Sequence, residues 1–229
     1  MIARIRARLA VRGPEAGLSL TELLTAATLS VLILAMVSAL FIQTAKVTAA
    51  SNQTQNSTTV ASNIQNELTA VIRHATAVTQ SSVTTAVVSG TSSKLVLYSF
   101  VNVTDPVNPA PVRVTFDGTG ASLIETQCVP KFVGGAWSYS TCASSTTRNL
   151  GGILQPAGTG QLPLFTYIDS TTGNPLVIGT GSVGADDLPD VASITVGINV
   201  LATGSATAPT YLSSTISMPN LGLDTGTDS

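Results

Sequence analysis

Twenty consecutive residues without a charge, Leu23–Ile42, restrict this 229-residue chain more than any other feature. As an α-helix with a rise of about 1.5 Å per residue, the run would be about 30 Å long, which matches the hydrocarbon core of a bilayer. A helix buried in a soluble protein usually has a polar face, and this run carries only scattered Ser and Thr. The sequence therefore predicts one membrane-spanning helix near the N-terminus.

The charges before this run predict its orientation. Four of the ten basic residues lie within the first twelve positions, at Arg4, Arg6, Arg8 and Arg12. The positive-inside rule then keeps residues 1–17 in the cytoplasm and exports the rest of the chain. A secretory signal, an uncleaved anchor and a leader removed at the cytoplasmic edge all fit this outline. A secretory signal is usually shorter, although small residues at Thr48-Ala49-Ala50 keep that alternative open.

Glu22 directly precedes the apolar run, where an ionised carboxylate is energetically unfavourable. A charge costs about 2.5–3.5 kcal/mol at the bilayer centre and less near its edge, so such residues are usually functional. If the chain is cut after Gly17, Leu18 gains an α-ammonium one helical turn from Glu22. The two groups could pair within one chain or between neighbours, and such a pair fixes register. The alternative is a Glu that simply lies among lipid headgroups.

The junction resembles a known family at this point. A basic leader ending in Gly17, then Leu18, Glu22 at the fifth mature position and the apolar run resemble the signature of type IV prepilins and type II secretion pseudopilins. The resemblance implies cleavage between Gly17 and Leu18 and N-methylation of Leu18, both by a prepilin peptidase. It implies further partners: other pilin or pseudopilin subunits, an inner-membrane assembly platform and membrane lipid. Leu18 departs from the family, in which Phe is commonest at this position.

A second periodic pattern follows the apolar run. Apolar residues recur at helical spacing from Val60 through Ile64, Leu68 and Val71, with polar residues between them. We expect one helix over about residues 18–77, loosened between Ser51 and Thr59, where Thr, Ser and Asn have weak helix propensity. Residues 18–42 would form its transmembrane half and residues 43–79 its exported amphipathic half.

Residues 80–229 have the two-residue alternation of strands. The fold class is therefore α+β, with the long helix packed on an antiparallel β-rich domain. Asp117-Gly118 predicts a hairpin turn, residues 104–111 and 202–210 predict loops, and the tail from Asn220 to Ser229 predicts a frayed end. The predicted strands are Lys94–Val103, Val112–Phe116, Ser122–Val129, Leu164–Ile168, Leu176–Ile178, Val191–Leu201 and Tyr211–Met218.

The two cysteines, Cys128 and Cys142, both lie in the exported part. An oxidising compartment would allow one disulfide, which would stabilise the domain by roughly 3 kcal/mol for a loop of about 15 residues. Two unpaired thiols are the alternative.

Most kinds of catalytic or metal site that a chain of this size could carry require residues that this sequence lacks. The only histidine, His74, lies near the apolar stripe and is expected to be structural, which removes Ser-His-Asp and Cys-His catalysis and multi-histidine zinc sites. No catalytic site or cofactor is expected. No clustered basic face predicts binding of nucleic acid. Asp186, Asp187 and Asp190 could gather calcium, or could form a solvated acidic loop, which we favour.

The C-terminal half carries a looser resemblance. The stretches ILQPAGTGQLPLFTYIDSTTGNPL and DDLPDVASITVGINV resemble J-type minor pseudopilins and W-type minor pilins. The expected function is that of a minor subunit, which initiates or caps a type IV pilus-like or type II secretion filament. Such a protein starts in the cytoplasmic membrane and ends in a periplasmic or cell-surface filament. The alternative is a membrane-tethered exported binding or adhesion module that never enters a filament.

Overall fold

The computed structural model describes residues 19–80, 83–101, 109–133, 136–178, 181–201 and 209–222. The chain divides into two compact units between Ala49 and Ala50. The predicted leader, with Gly17 and Leu18, lies outside the described residues, as do most of the two predicted loops and the tail beyond Gly222.

One helix, α1 (Leu20–Arg73), runs for 54 residues without a break. The predicted loosening around residues 51–59 is therefore wrong. Threonine side chains in this stretch bond back to carbonyl oxygens one turn earlier, as Thr54 does to Ala50 at 3.1 Å and Thr58 to Thr54 at 3.0 Å. Such bonds satisfy the hydroxyl within the helix instead of competing with it.

The predicted apolar stripe of the second half of α1 is buried. Ile64, Leu68, Val71 and Ile72 have no exposed surface and belong to one apolar cluster with residues of the strands. The helix nevertheless ends at Arg73 and not near Ala77. Directly after the helix, the backbone bonds a strand instead of the preceding helical turn: the Thr76 N–H donates to the Tyr98 carbonyl at 3.0 Å.

The described residues form eleven strands, all paired antiparallel. They are β1 (Val78–Gln80), β2 (Val83–Thr85), β3 (Val87–Gly90), β4 (Lys94–Ser99), β5 (Val112–Asp117), β6 (Ile124–Val133), β7 (Ala136–Asn149), β8 (Ile153–Leu154), β9 (Phe165–Asp169), β10 (Val191–Leu201) and β11 (Thr210–Ser217).

These strands form two sheets and a small hairpin. The first sheet has the order β3-β4-β5-β6-β7, so that β7 is an edge strand. In the second, β11 pairs with one side of β10, while β9 and β8 share the other side. Strands β1 and β2 pair only with each other among the described residues. One long helix and an antiparallel β-rich region confirm the α+β class.

Tyr167 on β9, in the second sheet, forms hydrogen bonds to the first sheet. Its hydroxyl lies 3.1 Å from the Thr91 carbonyl oxygen and 3.0 Å from that of Lys94, both at the β3–β4 turn. Its ring lies against Gly90, where an added Cβ would come within 2.5 Å of it. Burial raises the pKa of the Tyr167 phenol, so the hydroxyl keeps its proton and can donate.

Sequence patterns located some strands and missed others. The strands predicted at 112–116, 122–129, 164–168, 191–201 and 211–218 are present with each end within four residues of its predicted position, and the one predicted from Lys94 ends at Ser99. Residues 176–178 form no strand. Only an isolated bridge between Ile168 and Pro175 occurs there, since Pro175 lacks the N–H that a ladder needs.

Candidate functional site

The start of α1 is a capping box built from Ser19 and Glu22. The Ser19 carbonyl accepts the N–H of Leu23 at 3.1 Å, and its side-chain oxygen accepts the N–H of Thr21 at 3.2 Å. In return, the Glu22 carboxylate accepts the N–H of Ser19 at 3.2 Å. This is the Ser-x-x-Glu arrangement in which two residues satisfy each other's backbone donors at a helix N-terminus. The Ser-x-x-Glu spacing was the available signal in the sequence, beside the charge of Glu22.

The capping box does not use up the carboxylate of Glu22. A carboxylate has two oxygens with about four acceptor sites, so a bond to one backbone N–H leaves room for an ammonium. Its negative charge also suits the positive end of the helix dipole. Gly17 and Leu18 lie outside the described residues, so cleavage, methylation and the pairing of a Leu18 amine with Glu22 all remain predictions.

The first half of α1 presents apolar side chains on every side. Residues 19–52 are all exposed, and Leu20 and Phe41 are 80% and 75% exposed. Within the described residues, α1 is the one helix long and apolar enough to cross a membrane, by length and composition. A helix that is apolar all round is suited to lipid or to other apolar helices, not to water.

Three hydroxyls in this apolar stretch bond carbonyl oxygens of the helix itself. Thr25 donates to the Glu22 carbonyl at 3.0 Å, Thr28 to the Thr25 carbonyl at 2.9 Å, and Ser30 to the Ala26 carbonyl at 2.8 Å. Because no water is available in a bilayer core, every polar group there needs such an internal partner. These three hydroxyls therefore do not oppose burial in lipid.

Small residues make two shallow grooves along this surface. One is lined by Leu24, Ala27, Thr28, Val31, Leu32 and Ala35, and the other by Met36, Ala39, Leu40, Ile42 and Gln43. The spacing of three, four and seven residues places each set on one face of the helix. Small side chains allow helix backbones to approach closely within a membrane.

The predicted disulfide joins Cys128 on β6 to Cys142 on β7, with their Cα atoms 5.3 Å apart. The neighbouring strand β5 supports it, because Arg113 donates to the Tyr139 carbonyl at 2.9 Å. The rings of Tyr139 and Tyr98 meet edge to face with centroids 4.7 Å apart. Burial, together with the nearby Tyr98, raises the pKa of Tyr139 to about 12. The disulfide and these contacts thus restrain the middle of the β6–β7 hairpin.

A buried carboxylate lies on β6, and sequence reasoning missed it. Glu125 is fully buried and accepts a bond from Arg148 Nε at 2.7 Å and from Gln127 Nε2 at 2.6 Å. The same guanidinium also bonds Glu67 on α1. The hydrogen bond to Glu125 is the largest of several effects that raise the pKa of Arg148. A charged residue facing inward in an alternating strand was the available signal.

The remaining candidate residues form no reactive cluster. In the part of the chain that the structure describes, no group of three His, Cys, Asp or Glu side chains could hold a metal, and Asp186, Asp187 and Asp190 form none. His74 is exposed at the end of α1, where Nδ1 lies 2.6 Å from the Ala70 carbonyl oxygen. A cavity of about 370 Å³ lies between the β3–β4 turn and β10, and no titratable side chain is among its lining residues.

In comparisons with known proteins, no family model and no curated protein matches this chain. The resemblance to prepilins therefore depends on the N-terminal motif and the C-terminal stretches quoted above.

Proposed function

We propose that this chain is a minor pilin or pseudopilin subunit, exported through the cytoplasmic membrane to initiate or cap a type IV pilus-like or type II secretion filament. The observation that carries the proposal is the junction itself. A basic leader ends at Gly17, Glu22 follows at the fifth position of the mature chain, and an uncharged apolar helix begins there.

The first step would be removal of the leader on the cytoplasmic side. A prepilin peptidase cuts between Gly17 and Leu18 and methylates the new N-terminus of Leu18. Cleavage removes four arginines, which would otherwise hold the N-terminus at the cytoplasmic surface. It creates an ammonium close to Ser19, whose N–H already bonds Glu22.

The second step would be lateral packing of apolar helices. Membrane helices gain little hydrophobic energy when they associate, so close approach and polar pairing decide whether they pack. The grooves beside Ala27, Ala35 and Ala39 offer close approach. An ammonium on Leu18 would offer pairing with Glu22 of a neighbouring subunit. An assembly platform in the membrane would then extract the paired subunits.

The exported part would be carried on the second half of α1. In this proposal, residues 18–42 cross the membrane and the amphipathic half packs its stripe on the β-rich domain. The shared buried cluster of helix and strand residues supports this, as does the bond between Glu67 and Arg148. The J-type and W-type resemblance favours a minor subunit.

The N-terminus of the native protein tests the proposal. Mass spectrometry of chains purified from their own host should find N-methylated Leu18 as the first residue. The leader variant Gly17→Leu should accumulate unprocessed and stay out of sheared filaments, whereas Gly13→Leu, in the same leader, should be processed normally. Native chains that still carry Arg4–Arg12 would contradict the proposal and favour a tethered binding module. Chains that begin near Ser51 would identify a secretory signal instead.

A further inference from the structure

The cavity of about 370 Å³ beside β10 lies in a gap between two strand ladders. On one side of β10, β9 pairs as far as Val196 and β8 pairs from Val200 onward, and no described strand pairs there in between. Gly197 and Asn199 lie in this gap and line the cavity, together with part of the connecting segment 155–164. The volume falls within the range of about 300–1,000 Å³ that is usual for small-molecule sites.

Backbone hydrogen bonds hold the connecting segment in place around the cavity. The Gln155 N–H donates to the Asn199 carbonyl at 2.8 Å. At the other end of the segment, the Gly197 N–H donates to the Leu164 carbonyl at 3.1 Å. A Cβ added to Gly197 would lie 2.7 Å from the Pro163 carbonyl oxygen, so the segment lies directly against the strand. A site whose walls are fixed in advance loses less conformational entropy when a ligand binds.

Asn199 carries a buried acceptor that lacks a donor. The residue is only 8% exposed, and its Nδ2 donates to the Pro156 carbonyl at 2.8 Å. Its Oδ1 is buried and has no hydrogen-bond partner among the described residues. An unpaired buried amide oxygen is unfavourable, and buried polar atoms in proteins are nearly always paired. Because Asn199 lines the cavity, the missing donor points to a molecule bound there.

The other polar side chains of the cavity are unused as well. Ser92, Ser93 and Gln155 line it, and their side chains form no hydrogen bond with any described residue. Hydroxyl and amide groups both donate and accept, so they match ligand hydroxyls. None of the described lining residues is ionisable or aromatic, and the neighbouring charges of Lys94 and Asp117 pair with each other at 3.2 Å. The cavity therefore suits an uncharged ligand with several hydroxyls.

We propose that this cavity binds one residue of a neutral sugar, with its hydroxyls bonded to Ser92, Gln155 and Asn199. A sugar ring has hydroxyls at its edge and C–H groups on its faces. Leu154 and Leu164 in the cavity wall provide apolar surface for such a face. A nucleotide fits less well, because the described lining offers neither a cation for its phosphate nor an aromatic ring for its base. The inference does not depend on filament assembly.

Saturation-transfer NMR on the full-length chain tests the proposal. The protein is kept in an amine-oxide detergent, which has neither sugar groups nor aromatic protons, and the aromatic protons of the protein are saturated. The neutral probes are glucose, galactose and N-acetylglucosamine, and the charged counterparts are glucosamine and glucuronate. We expect transfer to at least one neutral probe, and loss of transfer to the charged counterparts, because no lining side chain offers a countercharge.

Variants locate the bound sugar. Ser92→Ala combined with Gln155→Ala removes two side chains that bond no described residue, so the fold should persist. Loss of two neutral hydrogen bonds should weaken sugar binding about tenfold or more. The matched control is Ser144→Ala combined with Ser145→Ala, at exposed positions of β7, which should leave binding unchanged. Urea unfolding checks that both variants are folded.

Three outcomes would count against the proposal. No transfer to any neutral probe from the folded chain would leave water as the occupant and overturn it. Undiminished transfer in the Ser92→Ala, Gln155→Ala variant would place the sugar elsewhere and overturn this site. Transfer to the charged probes alone would overturn the neutral class of ligand.

Discussion

Arg148 on β7 and Glu125 on β6 are cross-strand partners, and the guanidinium Nε donates to the fully buried carboxylate at 2.7 Å. The same guanidinium reaches Glu67 on α1. One side chain therefore bonds carboxylates on the helix and on the first sheet. A buried carboxylate without its cation is costly, so this contact should be among the most sensitive in the domain.

Removal of the cation tests that sensitivity. Arg148→Met should lower the free energy of unfolding by about 3–5 kcal/mol, because Glu125 stays buried without a countercharge. Glu125→Gln in the same background should recover part of the loss. The control is Lys94→Met, which breaks an exposed pair with Asp117 at 3.2 Å and should cost no more than about 1 kcal/mol. Urea unfolding of the full chain in detergent measures the free energy lost in Arg148→Met and in Lys94→Met. Equal losses would contradict the importance of the Arg148–Glu125 contact.

The two roles of Glu22 can be separated with variants of the capping box. Ser19→Ala removes the side-chain cap but keeps the carboxylate, so it should cost about 1 kcal/mol of helix stability and leave assembly intact. Glu22→Ala removes cap and charge together, and should give a processed, membrane-inserted subunit that fails to enter filaments. Glu22→Gln keeps a capping side chain without the charge, and should be nearly as defective as the alanine variant if charge drives assembly.

Quantitative blots of processed subunit in membrane and sheared-filament fractions compare these three variants. Normal incorporation of Glu22→Ala would show that this residue has no role in assembly. Failure of Ser19→Ala to assemble would shift the role from the carboxylate to the helix start.

The disulfide should stabilise the exported domain measurably. Replacing both Cys128 and Cys142 by Ser should lower the free energy of unfolding by about 3 kcal/mol, the chain-entropy value for a loop of this size. Native protein denatured without reductant should show no titratable thiol, whereas reduced protein should show both. Free thiols in protein from the native host would mean that the bond does not form there.

Asp117 should make the free energy of unfolding depend on pH in the acidic range. The Thr119 hydroxyl, the Thr119 N–H and Lys94 hold the pKa of the Asp117 carboxyl below its usual value. A carboxyl whose pKa is lower in the folded state than its unfolded pKa of about 4 stabilises the fold at pH values above about 4. This stabilisation is lost as the pH falls through the folded-state pKa. Asp117 is partly exposed, so the effect should stay below about 1 kcal/mol.

Thr119→Val isolates this effect, because it removes the hydroxyl donor and keeps the backbone donor. Its cost should be largest at neutral pH and should shrink below about pH 4. Thr126→Val is the matched control, since its hydroxyl contacts Thr147 and no carboxylate. Unfolding measured from pH 7 to pH 2 compares the two, and a cost of Thr119→Val that does not change with pH would contradict the prediction.

The sequence by itself determined the elements whose side chains carry a periodic signal. The uncharged run from Leu23 to Ile42 specifies an apolar helix whatever surrounds it, since a helix satisfies its backbone hydrogen bonds internally. Alternation in Val191–Leu201 located β10 at its observed bounds, because apolar side chains that join the core alternate there with small or polar ones. The stripe at Ile64 and Leu68 predicted which face of α1 is buried.

Only the tertiary structure decided the rest. Strand β7 is rich in Ser and Thr and exposed along Ser140–Asn149, so no apolar alternation marks it, and it exists because β6 offers a ladder. The end of α1 at Arg73 depends on hydrogen bonds to β4, which lies some twenty residues further along the chain. Glu125 is tolerable in the core only because pairing with β7 brings Arg148 beside it. Contacts between distant residues determine all three features.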